Sequence, residues 1–203
     1  MSITPLAKSS RIRRALLLAT GQTTSYGSGA GVDDGGLEIG QLHRYTILTA
    51  GQYSGTVNIT INSKTDAHSN GCVFDDSTGL MWSRTTSASV GPTSNGLLPW
   101  TTNANSEGIF TYLAAANAAS LAGYTDWRVP NLFELITIGN YEATNAVPDA
   151  TAFPSWPVLY LWTSTTRPSV TSGALTVGFG SGDVAPVTKT TAGHGVALVR
   201  GPL

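Results

Sequence analysis

The chain has 203 residues and a net charge of −1, and charged side chains occupy 11% of its positions, against about 25% in typical soluble domains. This length is enough for one domain with an appended arm. The basic cluster RIRR at residues 11–14 is too short to form a stripe that neutralises phosphates, so we expect no nucleic-acid partner. Gly, Ser and Thr replace the missing charges, which favours a β-rich extracellular or particle-surface protein.

Few residues of the chain could bind a metal. Cys72 is the only cysteine, which excludes an intramolecular disulfide and a cysteine-based metal site. The histidines, His43, His68 and His194, are scattered without ligand spacing. The adjacent aspartates at 75–76 lack the EF-hand spacing and are typical of a turn, although bound calcium stays open. We therefore predict no metal and no cofactor.

The N-terminal segment gives no export signal. After RIRR, the apolar run at residues 15–19 is too short for a signal-peptide core or a membrane span, so we expect no membrane insertion. A phage virion component works outside the cell without such a signal. By elimination, we expect the chain on a virion surface, with the bacterial cell surface or secretion as the alternative.

Residues 1–40 are predicted to form an extended arm that serves in attachment or oligomerisation. Residues 20–36 are rich in Gly, Ser and Thr and bury little apolar surface, so the arm becomes ordered only by packing on something else. Residues 41–70 are predicted to be a β-hairpin or linker region. Within them, apolar and polar residues alternate over 57–61, which is typical of a half-buried strand.

A compact domain is predicted over residues 71–203. The run CVFDDSTGLMWSR reads as strand, turn and strand, because turn-forming residues lie between two apolar segments. Apolar residues then recur at helical spacing and predict a helix over 106–122, with Gly123 at the left-handed C-terminal cap.

The stretch GYTDWRVPNLFELITIG concentrates charge in a chain that has little. Asn131 followed by Glu134 predicts a capping box, in which each side chain satisfies a free backbone N–H at the start of a short helix. Asp126 and Arg128 are predicted to pair with each other and to anchor the turn before that helix, because a guanidinium can bond a carboxylate and carbonyls together. The alternative is that Asp126 and Arg128 form a ligand site, but the stretch is expected to be structural.

The tryptophans divide into two groups. Trp82, Trp127 and Trp162 lie in apolar or motif contexts and are predicted to be core residues. Trp100 and Trp156 lie beside prolines in loops and, with Tyr160, are the candidates for stacking on a sugar or forming a protein interface. Covering the edge of the core is the commoner role of such loop aromatics.

Three strands are predicted near residues 158–165, 174–180 and 195–201. Long connections at 166–173 and 181–194 separate them and are expected to form the ligand-binding surface. The candidate ligand-binding residues are Trp156, Tyr160, Arg167, Asp183, Lys189 and His194.

Four motifs carry a family resemblance. FDDSTGLMWSR, AGYTDWRVPNLFEL, LWTST and VALVRG follow the order found in the C-terminal domain of the Legionella collagen-like adhesin, and over residues 72–201 the chain resembles that bacterial and phage family. The resemblance implies an α+β, C-type-lectin-like fold with two helices, a twisted antiparallel sheet and long loops. Relatives act as adhesins or phage receptor-binding proteins, often as trimers, and the founding adhesin binds sulfated polysaccharides. The formylglycine-generating group is similar in fold, but its chemistry needs a cysteine pair that this chain lacks.

We expect a non-enzymatic virion surface protein that decorates the capsid or recognises the host through a tail or fibre. The expected partners are other virion proteins, bound through the arm, and a host surface glycan, in a homo-oligomer for which a trimer is favoured. The alternatives are a bacterial surface adhesin that binds polysaccharide and a glycan-active hydrolase. Ser164, Asp183 and His194 would supply a nucleophilic triad, but any Ser-rich chain offers such trios, so no catalytic residue is predicted.

Overall fold

The computed structural model describes residues 18–20, 22, 24, 42–53, 57–61, 64–68, 71–87, 96–102, 106–142 and 144–201. Most of the predicted arm and the RIRR run lie outside the described residues. The elements within them are β1 (Tyr45–Leu48), β2 (Val57–Ile61), β3 (Lys64–His68), β4 (Cys72–Asp75), β5 (Leu80–Ser83), α1 (Ile109–Ala118), α2 (Leu132–Thr137), β6 (Tyr160–Thr166), β7 (Gly173–Gly178), β8 (Val184–Thr188) and β9 (Val199–Arg200).

The strand–turn–strand prediction around residues 72–83 is confirmed. Strands β4 and β5 pair antiparallel within a four-stranded sheet whose order is β1-β4-β5-β9. Asp75 organises the turn, because its carboxylate accepts the backbone N–H of Ser77 at 2.9 Å and the hydroxyl of Thr78 at 2.7 Å. Gly79 has a φ of 75°, which favours glycine.

The region before residue 71 contributes to two sheets. Strands β2 and β3 form an antiparallel hairpin, and α1 packs against β2. Strand β1 instead pairs with β4, and Tyr45 lies opposite Asp75. It therefore belongs to the four-stranded sheet that also contains strands of the predicted domain after residue 71. The domain boundary at residue 71 stays a prediction.

Helix α1 is shorter than the predicted span of 106–122. It occupies Ile109–Ala118, because Ser106 before it and Ser120 and Ala122 after it all have positive φ values, which end an α-helix. Gly123 has a φ of 81°, the left-handed conformation expected from the sequence. Periodicity identified the helix but not the turn that residues 120–123 add.

The third sheet has the order β6-β7-β8, and its last strand corrects the sequence interpretation. Residues 181–194 were predicted to be a long connection, yet Val184–Thr188 pairs with β7. This strand is exposed on alternate residues and contains Pro186, features that fit a sheet edge and weaken the strand signal.

Two apolar clusters form the core of the described residues. One includes Trp127 and Trp162 beneath α1, and the other includes Trp82 and residues of β6 and β7, so the three predicted core tryptophans are buried. The two helices and the antiparallel sheets of the described residues form a mixed α+β domain of the C-type-lectin-like kind. No helix among these residues is long and apolar enough to cross a bilayer.

The described arm residues contact their own domain. The carbonyl of Thr20 accepts the backbone N–H of Tyr141 at 2.9 Å. The backbone N–H of Thr24 donates to the Glu142 carboxylate at 3.0 Å. Part of the arm is therefore held against the loop that follows α2.

Candidate functional site

The predicted pair between Asp126 and Arg128 is wrong, because each residue pairs with another partner. Arg200 donates two hydrogen bonds to the Asp126 carboxylate, at 2.7 and 3.0 Å. Arg128 donates to both oxygens of Glu134, at 2.7 and 2.6 Å, and to the carbonyl of Gly201 at 3.0 Å. Sequence proximity could not reveal Arg200 as the partner of Asp126, since residues 128 and 199 meet through a bridge between distant segments. Glu134 lies only six residues after Arg128, but the sequence analysis assigned it to the capping box alone.

The predicted capping box at the start of α2 is confirmed. The Asn131 side chain accepts the N–H of Glu134 at 2.9 Å, and Glu134 accepts the N–H of Asn131 at 2.9 Å. Burial would raise the pKa of Glu134, but hydrogen bonds from Arg128 and from the Asn131 backbone hold that pKa below its usual range. Hydrogen bonds from Arg200 lower the pKa of Asp126. Each of these charges has an oppositely charged partner within the fold, and we call residues 126, 128, 134 and 200 the paired-charge network.

The candidate ligand-binding residues do not form one site. Trp156 was a candidate for stacking on a sugar, but it is 8% exposed and packs edge-on against Phe153 and Phe179. Phe153 in the same loop and Phe179 after β7 cover the ring, so Trp156 is a core residue. The other candidates lie at opposite ends of the β6-β7-β8 sheet.

One end, which we call the tyrosine end, contains Tyr160, Ser181, Asp183 and His194. The Tyr160 hydroxyl lies 2.9 Å from both oxygens of the exposed Asp183 carboxylate, and Ser181 donates to the same group. Hydrogen bonds from Ser181 and Tyr160 lower the pKa of Asp183. A Cβ atom added at Gly178 would lie 2.6 Å from an Asp183 oxygen, so the absence of a side chain there lets these groups meet.

His194 is part of this end but belongs to the packing. Its ring contacts Trp162 at 5.0 Å and Tyr160 at 6.0 Å between centroids. Burial lowers its pKa, and its Nδ1 has no hydrogen-bond partner among the described residues. No hydrogen bond joins His194 to Ser164 or Asp183 within the described part of the chain. The trio is therefore not assembled as a triad.

The other end, which we call the basic end, contains Trp100, Phe110, Thr166, Arg167 and Lys189. The Lys189 ammonium lies 4.0 Å from the centroid of the Trp100 ring and donates to the Thr166 hydroxyl at 2.9 Å. The exposed ring of Phe110 meets Trp100 edge-on at 4.7 Å. A hydrogen bond from the indole N–H to the carbonyl of Thr163, at 2.9 Å, fixes the orientation of Trp100.

The backbone brings the second cation to the same end. The N–H of Arg167 bonds to the carbonyl of Gly173, and the N–H of Lys189 bonds to the carbonyl of the adjacent Ser172, both at 2.9 Å. Arg167 is exposed. Within the described residues, neither cation forms an ion pair with a carboxylate, which leaves both charges for a ligand.

Sequence reasoning missed Phe110 and Thr166. A signal for Phe110 existed, since it is a large apolar residue between the buried positions Ile109 and Tyr112 of α1. Thr166 had no such signal, because strand alternation does not say which hydroxyl will meet Lys189, the residue that follows β8.

The two ends differ in chemistry. The basic end presents two cations beside aromatic rings, which can bind acidic groups and the apolar faces of sugar rings. The tyrosine end presents a carboxylate that already accepts hydrogen bonds from its neighbours. No three potential metal ligands cluster within the described ranges.

Comparison with known protein families gives a match over most of the described chain. The family model of the Lcl C-terminal domain matches residues 71–200. No curated protein matches the sequence. The match covers more than half of the chain and includes both ends of the sheet and the paired-charge network. The chain therefore belongs to the Lcl C-terminal domain family of surface adhesin-like domains.

Proposed function

We propose that the chain is a non-enzymatic surface-recognition protein that binds an anionic polysaccharide at the basic end. The observation that carries the proposal is the Lys189 ammonium 4.0 Å from the Trp100 ring, with Arg167 at the same sheet end and no described carboxylate paired with either cation. Adhesin-like family membership supports a binding function.

The chemistry of the basic end suits a sulfated or carboxylated sugar chain. The planar Arg167 guanidinium can bond two oxygens of one acidic group, whereas the Lys189 ammonium acts as a compact charge. The rings of Trp100 and Phe110 offer apolar surface to the sugar rings. Because the whole chain has a net charge of −1, the attraction comes from this local arrangement.

We also propose that the protein is located on a phage virion. The protein would be carried on the particle as a homo-oligomer, with a trimer favoured, and attached to other virion proteins through residues 1–40. The low content of charged residues, 11%, supports an exposed particle or cell surface. A bacterial surface adhesin is the alternative carrier. Mass spectrometry of purified particles and of bacterial envelopes distinguishes the two, since the proposal expects a fixed copy number per particle.

Binding of the full chain to immobilised heparin, with desulfated heparin in parallel, tests the polysaccharide proposal. The double variant Arg167→Gln/Lys189→Gln is compared with Arg44→Gln, which removes an exposed cation at the start of β1. We expect the double variant to lose at least about tenfold in affinity, because each charged hydrogen bond contributes about 1.5–3 kcal/mol. We expect Arg44→Gln to bind like the wild type.

Salt provides a second readout. Affinity for heparin should fall as ionic strength rises, because exposed charges are screened over about 10 Å at 0.1 M salt. Equal binding of heparin and desulfated heparin, or equal losses in the double variant and in Arg44→Gln, would contradict the proposal.

A further inference from the structure

The side chains of Arg167 and Lys189 leave opposite faces of the β6-β7-β8 sheet. Lys189 donates to the Thr166 hydroxyl at 2.9 Å, so these two side chains share one face. Successive side chains of an extended chain point to opposite faces. Arg167 directly follows Thr166, and Pro168 keeps the alternation, because the residue before a proline favours an extended conformation. Arg167 therefore projects from the face opposite Lys189.

The pairing of β6 with β7 gives the same assignment. Thr166 lies opposite Ala174 in this pairing. The N–H of Arg167 bonds to the carbonyl of Gly173 at 2.9 Å, which continues the register by one residue. A Cβ atom added at Gly173 would lie 3.4 Å from the Cβ and Cδ atoms of Arg167. The stem of Arg167 thus lies against Gly173, on the face opposite Ala174.

The apolar clusters identify the two faces. Ala174 belongs to the cluster beneath α1, whereas Val177, three residues further along β7, belongs to the cluster that also contains Leu135 of α2. The two helices therefore lie on different sides of the sheet. We call the α1 side, where Lys189 projects, the lysine face, and the α2 side, where Arg167 projects, the arginine face.

This placement keeps the two charges apart. Packed sheets lie about 10 Å apart, so the end of a long side chain lies about 5 Å from the plane of its sheet, and two such ends on opposite faces are separated by about 10 Å or more. The sheet itself lies between them, so a ligand must go around it to reach both. One sugar ring is too short for that path and can meet only one of the cations.

The outer edge of β8 offers a path between the faces. Within the described sheet, β8 is the last strand in the order β6-β7-β8. Thr188 is exposed and lies opposite Gly173, so its side chain is on the arginine face. Lys189 is the next residue and turns to the lysine face. A chain that passes over the edge at Thr188 can therefore reach both cations.

We propose that the anionic polysaccharide crosses this edge, with one acidic group on Lys189 and a later one on Arg167, so that the protein selects chains longer than two sugar rings. The inference rests on the polysaccharide function proposed above and adds the length of the ligand to it. The first sugars lie at Lys189, beside the rings of Trp100 and Phe110. Contact with Arg167 is then intramolecular, which raises the affinity for long chains.

Calorimetric titration of the full chain with heparin disaccharide and hexasaccharide tests the inference. We expect the hexasaccharide to bind at least about tenfold more tightly, the effect of one further charged hydrogen bond. In Arg167→Gln this advantage should fall to the small gain expected from three equivalent disaccharide units, with the disaccharide affinity unchanged. Lys189→Gln should weaken both ligands, because the disaccharide binds at that cation. Thermal melting checks that each variant is folded.

A second pair of variants tests the crossing point. Thr188→Glu places a carboxylate at the edge that the chain crosses. Val184→Glu is the matched control, since it places one on an exposed residue of the same strand, beside the tyrosine end. Thr188→Glu should weaken the hexasaccharide more than the disaccharide, whereas Val184→Glu should leave both affinities unchanged.

The outcomes separate this inference from the function on which it rests. Failure of the wild type to bind either oligosaccharide would overturn the polysaccharide function and this inference with it. Three results would overturn this inference alone: equal affinities of the wild type for the two ligands, equal losses for both in Arg167→Gln, or equal effects of Thr188→Glu and Val184→Glu.

Discussion

The paired-charge network and the basic end both present arginine, yet they use it differently. In the network, Arg200 bonds to Asp126 and Arg128 bonds to Glu134, so every cation has a carboxylate partner. At the basic end, Arg167 and Lys189 have no carboxylate partner among the described residues, although Lys189 contacts Trp100. A charged residue in a charge-poor chain therefore identifies function only when its partners are known.

The two residues of the Asp126–Arg200 pair differ in burial, and this difference determines how much stability each substitution removes. The Arg200 side chain is 8% exposed and that of Asp126 is 60% exposed. The buried Arg200 guanidinium lies 3.7 Å from the centroid of the Tyr124 ring. Most of the stability that Arg200 contributes to the fold thus comes from its packing and hydrogen bonds rather than from a fully buried ion pair.

The largest effect is expected for Arg200→Ala. The change removes buried packing on Tyr124 and two hydrogen bonds to Asp126, so the free energy of unfolding should fall by about 2–4 kcal/mol. Urea denaturation measures it. Asp126→Asn is the control and should cost about 1 kcal/mol or less, because the carboxylate is mostly in solvent. Equal costs for the two variants would mean that the ion pair dominates.

A smaller effect is expected for Gly178→Ala at the tyrosine end. The new methyl group would meet Asp183, Tyr160 and Ser181 at 2.6, 2.8 and 2.9 Å, and these side-chain atoms must move. We expect a loss of about 1–2 kcal/mol in unfolding free energy, as in other overpacked sites, with unchanged affinity for heparin. Weaker heparin binding in this variant would show that the two ends act together.

The effect of Glu134→Gln should depend on pH. The lowered pKa of Glu134 means that its charged form stabilises the fold above the ordinary glutamate pKa, about 4.3, and that this stability is lost as the pH falls through the folded-state value. At pH 7 the variant should be less stable by about 1 kcal/mol, since solvent screens part of the bond to Arg128. Denaturation at a series of pH values should show wild type and variant converging as the pH falls through the folded-state pKa of Glu134, and a constant difference would contradict this account.

Local signals in the sequence were sufficient for much of the fold. The turn at Asp75 and the capping box of Asn131 and Glu134 depend on neighbours within four residues, so their side-chain chemistry could be predicted. The end of α1 depends on positive φ at Ser120 and Ala122, residue types that rarely adopt it. Strand β8 was missed because a proline interrupts a short edge strand.

The site was less predictable, because its contacts join distant segments. Tyr160 and Asp183 were both candidates, and their hydrogen bonds span 23 residues. Trp156 is not a surface residue, because neighbouring aromatic rings cover it. Its position beside a proline in a loop does not predict this burial. Trp100 is a candidate binding residue because Lys189 lies beside its ring. Lys189 is 89 residues further along the sequence, so only the fold brings the two together.

The most direct test of the basic end is an NMR titration of the full chain with a sulfated heparin oligosaccharide. The indole N–H of Trp100 is a suitable probe, since it bonds to the Thr163 carbonyl at 2.9 Å and lies beside Lys189. We predict that this resonance and the backbone amides of Arg167 and Lys189 shift together, while that of Tyr160 does not. Shifts confined to the tyrosine end or to the paired-charge network, or no shifts at saturating oligosaccharide, would contradict the assignment.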